Sequence, residues 1–188
     1  MARHEIGPTL ILIDLQKAID DPRWAAVGPR NNPEAEANVA RLLAAWRARN
    51  FPIIHVRHDS RFPDSPYRQG APGHVFKPEA EPLPGEKVIA KQTNSAFATR
   101  LPALLGAFSR REVVICGVIT ENSVESSVRD AGEMGFEVTV VEDAVFTFAK
   151  RDWAGVVRTA EEVHAMSLAN MSGEYARVAT TEAVLASL

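Results

Sequence analysis

Two rhythms of apolar residues run along this chain. The first is short and unbroken. Leu10 to Ile13 within residues 9–15, Val113 to Ile115, and Val138, Val140 and Val141 lack alternation, the mark of parallel strands buried on both faces. Residues 52–56, 87–91 and 175–180 read as further strands. The second rhythm is helical. Val39, Leu42, Leu43 and Trp46 share one face after the start signal Asn32-Pro33-Glu34, and Asn50 is a C-terminal stop. Val124, Val128 and Ala131 share another face up to Gly135, which suits a left-handed helix cap. Helices are also expected over 98–108, interrupted near Pro102, and over 181–188. A longer one is expected from Asp152 to about Met171, with Val156, Ala160, Val163 and Ser167 inward.

Strand, turn, helix and strand over 112–144 make a right-handed βαβ unit. The whole chain repeats that alternation. The expected fold is α/β, a Rossmann-like three-layer sandwich of about six parallel strands with helices on both faces, in one domain over 1–188. Sheets of this kind place ligands at the carboxyl ends of their strands. That edge collects Asp14, Lys91 and the turn from Gly117 to Ser123. Between two of the strands runs an irregular stretch, 57–87, with prolines at 63, 66, 72, 78, 82 and 84. A loop of such length in a compact domain is usually functional or disordered. It reads as an ordered wall or lid over the strand ends, anchored by Tyr67, Val75 and Phe76, or as an oligomer contact.

Composition narrows the function more than the fold. With 188 residues, 46% hydrophobic and 24% charged, the chain can bury a sizeable core. A net charge of −3 gives no electrostatic case for nucleic acid. No apolar run reaches the roughly 18 residues of a membrane span. The first residues lead almost at once into a core strand, so no signal peptide is expected and a cytoplasmic location is. The single cysteine excludes an internal disulfide and any multi-cysteine metal site.

Several residues invite chemistry. Asp14 ends its apolar run, where it either caps a loop or serves as a desolvated proton acceptor. Lys91 ends another strand. Cys116 is the nucleophile by type, but it closes an apolar run before Gly117, the position of a small core residue. Ser123 stands in the first turn of the next helix, near unpaired N–H groups and the positive end of the dipole. There it either caps the helix or faces an oxyanion. His55 and His58 would point to opposite faces of a strand, so no metal site is expected. His58-Asp59 fits the rim of a pocket better, and Trp24 could line one. His164 reads as a packed histidine. No glycine-rich nucleotide-binding run is present.

LILIDLQ with Asp14 and Gln16, VIAKQTNSAF with Lys91, and CGVITENSVESSVRDAGEMGFEVTVVEDA together resemble the isochorismatase-like hydrolases, a group that includes nicotinamidases, carbamoylsarcosine amidases and isochorismatases. The resemblance covers nearly the whole chain. It implies a six-stranded parallel sheet, a homodimer or homotetramer, a small-molecule substrate, and no cofactor. It implies an aspartate, lysine and cysteine triad, whose first two members match Asp14 and Lys91. The cysteine position is Ser123 here. The resemblance also implies a cis peptide at Val118-Ile119, with the amides of Ile119 and Ser123 as an oxyanion hole. Gln16, His58, Asn94, Phe97 and Thr120 are candidate substrate contacts. The family's metal-binding members carry an aspartate and two histidines beyond the second strand, matched only partly by His55, His58 and Asp59. The expected activity is hydrolysis of a C–N or ester bond. Alternatives are vinyl-ether hydrolysis by Asp14 and a silent member that binds small molecules.

Overall fold

The computed structural model describes residues 7–106 and 111–188. Its elements follow in chain order: β1 (Thr9–Ile13), α1 (Ala35–Arg49), β2 (Ile53–His58), β3 (Lys87–Lys91), α2 (Leu101–Gly106), β4 (Glu112–Val118), α3 (Glu125–Glu133), β5 (Glu137–Phe146), β6 (Lys150–Arg151), β7 (Val157–Arg158), α4 (Ala160–Met171), β8 (Arg177–Ala179) and α5 (Thr181–Ala186). Six strands form one sheet in the order β3-β2-β1-β4-β5-β8. Every pairing in it is parallel. This is the three-layer α/β sandwich expected from the unbroken apolar runs. Both faces are dry. Leu10 and Leu12 pack on the layer of Leu42, Leu43 and Trp46, and Ile11 and Ile13 on the layer of Val124, Val128 and Ala131. Among the described residues no helix is long and apolar enough to cross a membrane.

The parallel sheet sends all its carboxyl ends to one edge, with β1 and β4 side by side at the centre. Two backbone features bring these ends close. Gly117 has φ +127°, and a Cβ there would lie 2.2 Å from the main-chain oxygen of Ile13. Only glycine allows that approach. Asp14, just past β1, takes a left-handed φ of +55°, which costs a non-glycine residue free energy and clusters at functional sites.

The pattern of apolar residues misplaced some boundaries. No helix starts at Asp152. Residues 150–158 form the small antiparallel hairpin β6-β7. Asp152 accepts from the N–H groups of Ala154 and Val156, and Gly155 turns the chain at φ +82°. The helix begins after Thr159, which forms a reciprocal capping box with Glu162. β5 runs beyond Glu142-Asp143 to Phe146, because a register shift between Ile115 and Gly117 lets it stay paired with β4. Asn32 does not cap α1. Its amide donates to the main-chain oxygens of Glu142 and Val145 instead. The end of the helix expected over 98–108 lies partly outside the described residues, and α2 starts only at Leu101, with Pro102 in its first turn.

Candidate active site

Three strand ends converge on one buried cluster. Asp14 follows β1, Lys91 closes β3, and Ser123 lies in the π-helical turn Thr120–Val124 between β4 and α3. The lysine reaches past β2, which lies between β3 and β1. Lys91 Nζ stands 2.7 Å from Asp14 Oδ2 and 3.2 Å from Ser123 Oγ. It also donates to the main-chain oxygen of Thr93 at 3.0 Å and faces His58 Nδ1 at 3.3 Å. The lysine side chain is fully buried and that of Asp14 is 6% exposed. Asp14 Oδ1 is buried and, among the described residues, has no hydrogen-bond partner. Burial pushes the Asp14 carboxyl up, against the opposing pull of Lys91, His58 and the Ser123 hydroxyl. A carboxylate so placed is a better proton acceptor than one in water.

The turn that carries Ser123 is tightly tied. The peptide Val118-Ile119 is cis, as the resemblance implied. The N–H groups of Asn122 and Val124 both donate to the Ile119 oxygen. Ser127 Oγ donates to the Ser123 oxygen at 2.6 Å and accepts from the Ala96 N–H, which ties α3 to the loop after β3. Ser123 thus sits at the amino end of a continuous helical segment, where the dipole favours negative charge.

A cavity of about 250 Å³ opens over the cluster. Asp14, Ile119 and Ser123 line it, and so do His58 and Asn94. Its walls add Trp24, Phe62, Tyr67 and Asn122. A wider cleft of about 720 Å³ around Glu137 and Arg177 lies on the amino-end side of the strands, away from the cluster. Not every candidate contact reaches the cavity. Gln16 is fully buried. Its amide donates to the oxygens of His58 and His74 and accepts from the His58 N–H, so it clamps the wall rather than facing the cavity. Phe97 packs in the core against Phe136. Thr120 is buried with Oγ1 3.0 Å from His164 Nδ1.

The long stretch after β2 builds the outer wall. Tyr67 donates to the main-chain oxygen of Asp14 at 3.2 Å and stands edge-on to both His58 and Trp24. As a residue of the cavity it was missed, because an aromatic in a proline-rich loop carries no periodic signal. Cys116 is fully buried, and burial pushes its thiol up, so it is a core residue. His55 is buried against Glu86 at 2.8 Å, and among the described residues no group of three His, Cys, Asp or Glu is placed to hold a metal.

The isochorismatase domain, as a family, matches residues 8–183. The chain belongs to the isochorismatase family. An isochorismatase-family protein of Chromobacterium violaceum ATCC 12472 has a crystal structure that superposes with a TM-score of 0.92 at 58% identity, over 99% of this chain and 95% of that one. The isochorismatase family protein YrdC of Bacillus subtilis is 34% identical over 94% of this chain and 93% of its own length. A streptothricin hydrolase of Streptomyces noursei is 32% identical over 74% of this chain, which spans only 49% of that protein.

Proposed function

We propose that this protein hydrolyses a C–N or ester bond of a small molecule, with Asp14 as base, Lys91 as charge stabiliser and Ser123 as nucleophile. The observation that carries the reading is the Lys91 ammonium within reach of both Asp14 and Ser123, beneath a cavity, with one Asp14 oxygen left unpaired among the described residues. Burying this pair carries a desolvation cost, and groups perturbed in this way cluster at functional sites. Similarity to a streptothricin hydrolase supports hydrolysis as the reaction class.

In this mechanism Ser123 Oγ attacks the substrate carbonyl carbon while its proton passes to Asp14. A serine hydroxyl is a weak acid, so the base must take the proton during attack. The raised Asp14 carboxyl suits that task, and Lys91 offsets charge growing on Oγ. The amides of Ile119 and Ser123 hold the oxyanion. Collapse expels an amine or alcohol, which takes the proton from Asp14. Water then attacks the acyl-serine, its proton passes through Asp14 to Oγ, and the acid leaves.

Hydrolysis of a panel of small amides and esters tests the proposal. The native chain is expected to turn over at least one member, and Asp14→Asn and Ser123→Ala to lose about 10³-fold or more in kcat. Turnover that survives Asp14→Asn refutes the assignment of the base. Turnover found only after Ser123→Cys refutes serine as the working nucleophile. A ligand that raises the melting temperature without any turnover points to the binding-protein reading.

A further inference from the structure

The cavity over Asp14 and Ser123 has a one-sided lining. Trp24, Phe62 and Tyr67 give it aromatic walls beside the neutral polar groups of Ser60, Ser65, Asn94 and Asn122, and among the described residues no lysine or arginine lines it. Asp14 is the one charged side chain among the lining residues, and Lys91 already neutralises it. An ammonium carries three hydrogens, yet Lys91 Nζ faces four acceptors: Asp14 Oδ2, the Thr93 oxygen, Ser123 Oγ and His58 Nδ1. No part of it is left for a substrate carboxylate. An anion entering the cavity would lose its water and, beyond the helix end at Ser123, find no cationic side chain among the described lining residues.

His58 offers a different kind of recognition. Its Nδ1 lies 3.3 Å from an ammonium, which can only donate, so we assign the lone pair to Nδ1 and the proton to Nε2. That Nε2–H has no partner among the described residues. The residue is fixed from both sides. Its N–H donates to Gln16 Oε1 at 2.7 Å, and its oxygen accepts from Gln16 Nε2 at 3.1 Å. Its ring stands edge-on to Tyr67, with centroids 5.6 Å apart at 85°. Burial holds the imidazole below its usual range and Lys91 pushes it further down, against the pull of Asp14 and Asp59.

We propose that this site selects an uncharged substrate, packed against Trp24, Phe62 and Tyr67, and that the Nε2–H of His58 donates a hydrogen bond to an acceptor atom on it. The inference rests on the hydrolytic reading for its site but not for its test. Ser123→Ala protein, which needs no turnover, is titrated calorimetrically with four small amides of matched size. One is uncharged with an ether or ring-nitrogen acceptor, and the others are its hydrocarbon isostere, its carboxylate counterpart and its ammonium counterpart.

The acceptor-bearing amide is expected to bind about fivefold more tightly than its hydrocarbon isostere, and the carboxylate about 100-fold more weakly. His58→Phe in the same background keeps the ring against Tyr67 and is expected to erase the acceptor advantage. His58→Gln, which retains an N–H donor, restores part of it. Tightest binding by the carboxylate or the ammonium, no binding by any of the four, or an acceptor advantage that survives His58→Phe overturns the proposal. Absence of turnover by the native chain on all four, with the binding order as expected, would count against the hydrolytic reading alone.

Discussion

Replacing Lys91 by methionine isolates the energetics of the buried pair. Methionine has a similar length and no charge, so the change leaves Asp14 buried without its partner. Two routes are then open to the carboxyl. It can stay ionised, and breaking a buried pair from one side costs about 3–5 kcal/mol. Or it can bind a proton that the unfolded chain, with an ordinary aspartate value near ~3.9, would have released. At pH 7 that uptake costs about 1.4 kcal/mol per unit over three units, so ~4 kcal/mol. Both routes give a similar ceiling. Burial already raises Asp14 in the native protein, and the desolvation of Lys91 is relieved, so the net loss is about 2–4 kcal/mol. For a chain of this size that lowers the melting temperature by roughly 5–15 °C at pH 7. The pH dependence identifies the cause. A carboxyl whose folded pKa is raised binds more protons folded than unfolded in the window above the unfolded value. Stability therefore falls as pH rises through that window. Acidification from pH 7 to pH 5 reduces the uptake cost to ~1.5 kcal/mol, and the deficit of Lys91→Met should shrink by more than half. Thermal denaturation followed by circular dichroism at both pH values reads this directly. A variant that melts within about 1 °C of the native protein at pH 7, or whose deficit grows in acid, refutes the buried-pair argument.

Two further outcomes concern the wall of the cavity and the acid limb of stability. Gln16→Met should leave the His58 N–H and oxygen and the His74 oxygen without their partner, costing about 2–4 kcal/mol. It should also lower kcat/KM by an order of magnitude through displacement of His58, and a variant with unchanged kcat/KM would show that the clamp does not position the site. Glu36 and Glu86 are both held at about 2. Burial alone would raise each, but Arg30, with the Glu36 N–H and Lys77, more than reverses this at Glu36, and Arg47, the Leu83 N–H and His55 do so at Glu86. Carboxyls depressed in the folded state stabilise above the unfolded value near ~4.3 and lose that contribution as pH falls toward 2. After allowance for solvent screening each is worth on the order of 1 kcal/mol. Arg30→Met should therefore flatten the fall of melting temperature between pH 5 and pH 3, and an acid limb as steep as the native one would exclude Glu36 as its source.

The sheet and the charged pair at its edge were legible because burial on both faces writes itself as unbroken apolar runs. Asp14 and Lys91 each end such a run, and parallel strands leave no other edge for them. The same logic removed Cys116, whose apolar neighbours on the strand already said that it was core. What escaped was whatever depends on where a loop returns. Gln16 lies two residues from Asp14 and looked like a contact, but its amide is occupied by His58 and His74, residues 42 and 58 positions away. Phe97 and Thr120 sit in the right segments and face the core. Tyr67 and Phe62 are brought to the cavity by a stretch without period, held by contacts such as the ion pair of Lys77 with Asp20 and Glu36. The hairpin at 150–158 was hidden because Val156 and Ala160 fit a helical face by spacing alone, while the Asp152 side chain and Gly155 decide the turn.

The site also depends on backbone that no hydrophobic pattern encodes. Ser123 and Asp14 come from different strands, and their meeting requires the ends of β1 and β4 to approach more closely than side chains permit. Gly117 removes the obstacle, since its missing Cβ would overlap both the nitrogen and the oxygen of Ile13. Just before that contact β4 shifts its register against β5, and after it the chain enters the cis peptide and π turn that hold Ser123. On the other strand Asp14 turns left-handed at once after Ile13, with its main-chain N–H on Val56 and its oxygen bound by Tyr67 and Gln16. Three neighbours thus fix a residue conformation that is unfavourable in isolation. The carboxylate is placed by its backbone before Lys91 reaches it. This is why the rigid centre of the sheet, rather than the mobile surface of a loop, can hold a base and a hydroxyl in register for chemistry.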